Sequence, residues 1–172
     1  RAVSQHAFVR RRPVVYSNAI VFLARLFGFL SRARGRARHR LRAAFPEGAG
    51  ADTRFKFLLA SAYLEGVYDD IWAIRLMKVI LALIGIRSAF FTSATERNFQ
   101  TVIACKLLAI PTVGIMHGVS TPTSTAYDFM PTFDGTKTLS VDRFGLWSEW
   151  WRGYFTAQSR AYRPEQLYVS GP

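Results

Sequence analysis

His117 followed by Gly118 is the pair in this sequence with the most chemistry to offer. An imidazole can take up a proton near neutral pH or, once protonated, face a phosphate, and a glycine after it lets a ligand approach the backbone. The plainer alternative is a hydrogen-bonded, chemically idle histidine. No partner is set by spacing: Asp128, Asp134 and Asp142 could each orient the ring or each be a turn former. Ser93 and Glu96 form an S-x-x-E arrangement in which Glu96 could bind a sugar hydroxyl, although a capping box already accounts for both. Thr121, with Thr123, Ser124 and Thr125, could donate hydroxyls to a phosphate or sugar, or be solvated loop. Trp150 and Trp151 could stack on a sugar, but adjacent helical positions point about 100° apart, so at least one belongs to the core. Asp69-Asp70 is a candidate carboxylate pair for metal or acid/base work, yet Asp70 reads more simply as a helix N-cap. The sequence contains no G-x-x-x-x-G-K-[ST] loop, G-x-G-x-x-G fingerprint, C-x-x-C or H-E-x-x-H. No cofactor and no metal is therefore expected.

The elements that must position these residues can be read from periodicity. Leu26, Leu30, Ala33, Ala37, Leu41 and Ala44 recur at three- and four-residue steps, predicting one helix from Ser17 to about Ala44 whose arginines at 32, 34, 36, 38, 40 and 42 flank a narrow apolar seam. Further helices are predicted from Arg54 to Glu65 and from Asp70 to Gly85. From residue 86 strands alternate with helices. SAFFT (88–92) is a strand; the capping box starts a helix with Phe99, Val102, Ile103 and Leu107 on its apolar face, and Pro111 follows it. TVGIM (112–116) is a strand, then a long connection rich in Thr, Ser, Pro, Asp and Gly runs from Gly118 to Leu139. Irregular segments of that length in compact domains are usually functional or disordered, and Tyr127, Phe129 and Phe133 favour an ordered loop. RFGLW (143–147) is a strand, Ser148 an N-cap, and Glu149 to Tyr162 a helix with Trp151, Tyr154, Phe155 and Tyr162 on its buried side. LYVS (167–170) is the last strand. Such alternation predicts an α/β fold with a Rossmann-like parallel sheet, preceded by a basic helical region over 1–54, the α/β domain being 55–172. All strands of such a sheet point one way. Ser93, His117, Ser148 and Gly171, each just past a strand, would share the carboxyl edge where open α/β sheets bind ligands.

Composition sets the outer limits. The chain has 172 residues, half of them hydrophobic and 15% aromatic, which excludes intrinsic disorder and a disulfide-stapled miniprotein. Cys105 is the one cysteine, so nothing demands an oxidising compartment and a cytoplasmic location is the default. The net charge of +12 is lopsided: residues 1–54 hold 12 arginines against Glu47 and Asp52, and the remainder is close to neutral. Anionic partners are therefore expected for the first third. An anionic membrane surface, at the inner membrane face, is favoured over nucleic acid: Ile20 to Leu30 adds an apolar face to the basic flank, and no nucleic-acid reading motif or base-stacking pattern accompanies it. A solvated face in an arginine-rich protein is the plain alternative. Neither Val14 to Leu30, with Asn18 and Arg25, nor Ile71 to Ile86, with Arg75 and Lys78, has the roughly 20 nearly uncharged residues of a spanning helix. Arg10-Arg11-Arg12 imitates a signal-peptide n-region but precedes no small-x-small cleavage site. With Arg at residue 1 and Gly171-Pro172 at the end, the chain reads as an excerpt from a longer protein.

From Ile86 onward the sequence resembles the amino-terminal half of bacterial GT-B glycosyltransferases and related polyol-phosphate, glycerophosphotransferase-like enzymes that assemble surface polysaccharides and teichoic acids. The resemblance is carried, in order, by SAFFTSATERN, PTVGIMHG with its long loop, RFGLWSEWWRGYF and QLYVSGP. It implies the acceptor-side half of a two-lobed transferase, with a nucleotide-activated sugar donor held mainly by a second lobe and a glycan or lipid-linked acceptor on this side. His117 would be the catalytic base or phosphate contact, with Gly118, Ser93, Glu96, Thr121 and Ser148 lining the cleft. This half alone would be inactive. A non-catalytic module docking an anionic partner, and a GT-B-fold sugar-nucleotide epimerase, are the alternative expectations.

Overall fold

Good helix formers and an N-terminal serine start helix α1, Ser17–Leu30, which ends where Ser31 turns extended (φ −70°, ψ 117°). Helix α2, Arg32–Ala44, follows at once, and helix α3, Ala51–Ile84, runs without interruption for 34 residues. The computed structural model describes residues 17–45, 50–91, 99–116, 140–159 and 161–171. Contacts divide the chain into two units, 1–76 and 77–172, the division falling within α3, whereas the composition shifts near 54.

In the first unit, α1 and α2 run antiparallel to α3. Phe27 stacks on Trp72 with ring centroids 5.3 Å apart, Tyr68 donates a hydrogen bond to the Ala33 carbonyl at 3.3 Å, and Phe45 meets Phe57. Two sequence expectations fail here. The predicted seam assumed one continuous helix; the break at Ser31 resets the phase, leaving Leu26, Leu30 and Ala44 exposed while Ile20, Ala24 and Gly28 are buried. Asp70 is no N-cap, because the predicted helices over 54–65 and 70–85 are one. Asp69 faces Arg34 at 3.6 Å, so this carboxylate serves a neighbouring helix rather than a helix start. The far end of α3 is as predicted: Gly85 takes a left-handed φ of 71°, and the amides of Gly85 and Ile86 both donate to the Leu81 carbonyl.

The second unit is α/β. Strands β1 (Ala89–Phe91), β2 (Thr112–Ile115), β3 (Arg143–Leu146) and β4 (Leu167–Val169) form one parallel sheet in the order β1-β2-β3-β4. Helix α4, Phe99–Leu107, precedes β2, and helix α5, Glu149–Gln158, leads through a 3-10 turn at Pro164–Gln166 to β4. Right-handed crossovers taken in one direction place their helices on one face of a sheet. The burial follows: Phe91, Phe144, Leu146 and Leu167 are buried, and Phe144 stacks on Tyr162 at 4.5 Å and meets Phe155 of α5 at 5.7 Å. On the other face, Phe90, Val113 and Tyr168 stay exposed, with the Arg143 guanidinium over the Tyr168 ring. Two helix faces differ from expectation. In α4, Val102, Ala104 and Cys105 are buried whereas Leu107 is exposed; α5 ends at Gln158, so buried Tyr162 lies beyond it.

Candidate functional site

Four strands pointing one way give the sheet an amino edge and a carboxyl edge with different construction. The amino edge is locked by polar contacts. Thr112 donates its amide and its hydroxyl to Asp142 Oδ2, both at 2.8 Å, and the Asp142 amide donates back to Thr112 Oγ1 at 2.9 Å. Lys106 stands 3.8 Å from the same carboxylate. Gln166 Nε2 donates to the Val141 carbonyl at 2.8 Å and to Ser140 Oγ at 3.3 Å, tying the start of β4 to the start of β3. Asp142 sits at the beginning of β2 and β3, about 13 Å of extended chain from the carboxyl edge. Its role is to satisfy the buried Thr112 and set strand register.

At the carboxyl edge the backbone continues the ladder past the strands. The Met116 amide donates to the Gly145 carbonyl and the Ser170 amide to the Leu146 carbonyl, both at 2.8 Å. Met116 is buried, and β2 therefore reaches this edge one residue before His117. Gly171 passes so close to β3's exit that a Cβ there would stand 2.8 Å from Trp147 Cα. Ser148 follows, half-buried and extended (φ −158°, ψ 167°), in the N-cap position predicted for it. Its carbonyl accepts from the Arg152 amide at 3.1 Å, but its side chain makes no capping hydrogen bond. The Ser148 hydroxyl is therefore not used by the helix that it begins. Trp147 and Trp150 flank it, both exposed, and Trp150 meets Trp151 edge-on at 4.6 Å.

Of the residues singled out from sequence, Ser148 is placed at this edge. His117, Gly118, Ser93, Glu96 and Thr121, together with Asp128 and Asp134, lie outside the described residues. Among the described residues no cluster of His, Cys, Asp or Glu could hold a metal ion. Cys105 is fully buried in α4; burial pushes its thiol up, and the nearby Asp142 carboxylate pushes the same way, so it is held as a neutral thiol rather than a nucleophile. The described strands follow one another in consecutive order, with no reversal among them. Sequence reasoning missed the Thr112–Asp142 lock, whose signal, a Thr and an Asp each opening a strand, is visible only once the two strands are known to be neighbours. Compared with protein families, with curated proteins and with solved structures, the chain matches none.

Proposed function

We propose that the chain is the acceptor-side half of a glycosyltransferase that moves a sugar, or a polyol phosphate, from a nucleotide-activated donor to a cell-surface glycan or lipid-linked acceptor. The observation that carries the reading is the all-parallel sheet, in which β2 ends at Ile115 and its ladder continues through Met116, the residue before His117 in the sequence, beside the exit of β3 that leads to Ser148. His117 takes the proton of an acceptor hydroxyl as that oxygen bonds to the donor's anomeric carbon, or phosphorus, and the bond from that atom to the nucleotide breaks, the nucleotide leaving with the electron pair. Gly118 keeps the approach open, Ser148 offers its hydroxyl to the acceptor, and Ser93, Glu96 and Thr121 complete the polar lining. As the resemblance implies, the donor is gripped mainly by a second lobe facing this edge.

The test is transfer from labelled sugar nucleotides to lipid-linked acceptors, comparing the natural gene product with its His117→Ala variant at equal abundance. A general base of this kind contributes about 10²–10⁴ in rate, and a loss of that size with an unchanged fold is expected. Unchanged transfer would remove His117 from the chemistry. Absence of transfer by the natural product with every donor tried would leave the docking-module reading in its place.

A further inference from the structure

The first unit turns most of the large apolar side chains of α1 outward. On α1 the buried positions are Ile20, Ala24 and Gly28, one row at four-residue steps, and the row narrows to nothing at Gly28, where a Cβ would stand 2.6 Å from Asp69 Oδ1. The large side chains point away from that row. Phe22, Leu26, Phe29 and Leu30 share the opposite face, with Phe22 68%, Phe29 71% and Leu30 65% exposed. Beside the aromatic contacts Phe27–Trp72 and Phe45–Phe57, Arg34 is buried and stands 3.4 Å from Glu65 and 3.6 Å from Asp69, and Arg38 hydrogen-bonds Glu65 at the half-exposed margin of the contact. A buried row that narrows to glycine on one side and large apolar side chains on the other is the arrangement of a helix that keeps an apolar face for lipid.

The chemistry of that lipid can be read from charge. Residues 17–45 carry seven arginines and no acid, and Arg32, Arg36 and Arg40, on one stripe of α2, are all exposed immediately after the apolar face ends at Leu30. Fourteen residues of α1 extend about 21 Å, short of the roughly 30 Å hydrocarbon core. Consistently, no described helix is long and apolar enough to cross a membrane. We propose that α1 lies in one leaflet of an anionic phospholipid bilayer, with Phe22, Leu26, Phe29 and Leu30 in the acyl region and the α2 arginines at the phosphates. Arg25, the one charge on α1, is exposed and long enough to reach back to the headgroups. This holds whether or not the sheet unit is a transferase, and its test reads a different quantity.

The experiment is co-sedimentation of the whole chain with vesicles of phosphatidylcholine containing 30% phosphatidylglycerol, and with pure phosphatidylcholine, followed by a wash in about 1 M NaCl, where the Debye length is about 3 Å. Capture by the anionic vesicles that survives the salt wash is expected. Phe22→Glu with Phe29→Glu alters exposed side chains only, so helicity by circular dichroism should be unchanged while partitioning falls about a hundredfold or more. Arg36→Gln with Arg40→Gln should lower capture by anionic vesicles about tenfold or more and leave neutral vesicles unaffected. Capture that the salt wash removes, equal in wild type and the phenylalanine double variant, would overturn insertion in favour of arginine adhesion alone. No capture, together with a dimer that the same double variant dissolves, would overturn it in favour of a second copy of this chain.

Discussion

The two units of this chain differ in what fills their interiors. In the sheet unit Phe144, Phe155, Met116 and Leu146 are fully buried and the arginines at 143, 152 and 163 lie outside. In the helical unit Phe22, Phe29, Phe55, Leu58 and Tyr63 lie outside while Arg34 lies within. On α3, Leu59, Ala62, Tyr63, Gly66, Val67 and Asp70 line a shallow, exposed groove of about 400 Å³, and Glu65 meets Arg34 and Arg38. Total hydrophobicity does not distinguish the units; its placement does. A core of rings drives folding in water at about 25 cal/mol per Å² buried, whereas an ionic seam between helices gains nothing comparable there. The sheet unit closes a core of rings, and the helical unit leaves its largest rings on α1 outside.

That contrast is sharpest for paired phenylalanines. Phe144→Ala empties a site closed by Tyr162 and Phe155, and is expected to cost about 3–5 kcal/mol in urea unfolding followed through Trp147, Trp150 and Trp151 on a Trp72→Phe background. Phe29→Ala removes as many atoms from a side chain 71% exposed, and the helical unit should lose less than about 0.5 kcal/mol in water. Comparable losses in the two variants would mean that the outer face of α1 is packed against protein, and the comparison would break.

How much of this was readable from sequence differs between the units for the same reason. SAFFT, TVGIM, RFGLW and LYVS each contain an observed strand, trimmed to three or four residues, because aromatic and β-branched runs bounded by turn formers carry their own signal. The helical unit misled because its signals are tertiary. Nothing local marks Ser31 as a break, and nothing local says that Asp69 answers Arg34 instead of capping a helix. The seam read along Leu26, Leu30 and Ala33 assumed that large apolar residues turn inward, which fails when α1 docks through Ala24 and Gly28. At the candidate site the strand end before His117 and the N-cap position of Ser148 were legible; the distance of Asp142 from that edge needed the register of β2 on β3.

Glycines sharpen the comparison at smaller scale. Gly171 threads against the Trp147 backbone, which cannot yield as a side-chain tip can, so Gly171→Ala should destabilise the sheet unit by about 1–3 kcal/mol in the same unfolding experiment. Gly66 lies inside α3 with nothing within 4 Å of where a Cβ would be. Gly66→Ala should therefore stabilise the helical unit by about 0.5–1 kcal/mol, read as a raised thermal midpoint of its helicity.

The smallest effect separates the units by how each perturbs a titrating group. Burial pushes the Cys105 thiol up in the sheet unit, whereas an ion pair acts on Glu65 in the helical unit. The hydrogen bond from Arg38, then the charge of the same guanidinium, and then Arg34 hold the Glu65 carboxyl below the usual carboxylate range. A carboxyl depressed in the folded state contributes stability above its unfolded value, and that contribution disappears as pH falls through the folded value. Acid should therefore loosen the contact between α2 and α3, with the side-chain carbon resonance of Glu65 marking the midpoint. Arg38→Gln should move that midpoint most of the way back to an ordinary glutamate, and Arg34→Gln by less, because Arg38 supplies the larger share. A larger shift in Arg34→Gln than in Arg38→Gln would mean that the buried arginine, rather than the exposed one, governs the seam. The charge between these helices would then be set by the interior of the pair and not by its water-facing margin.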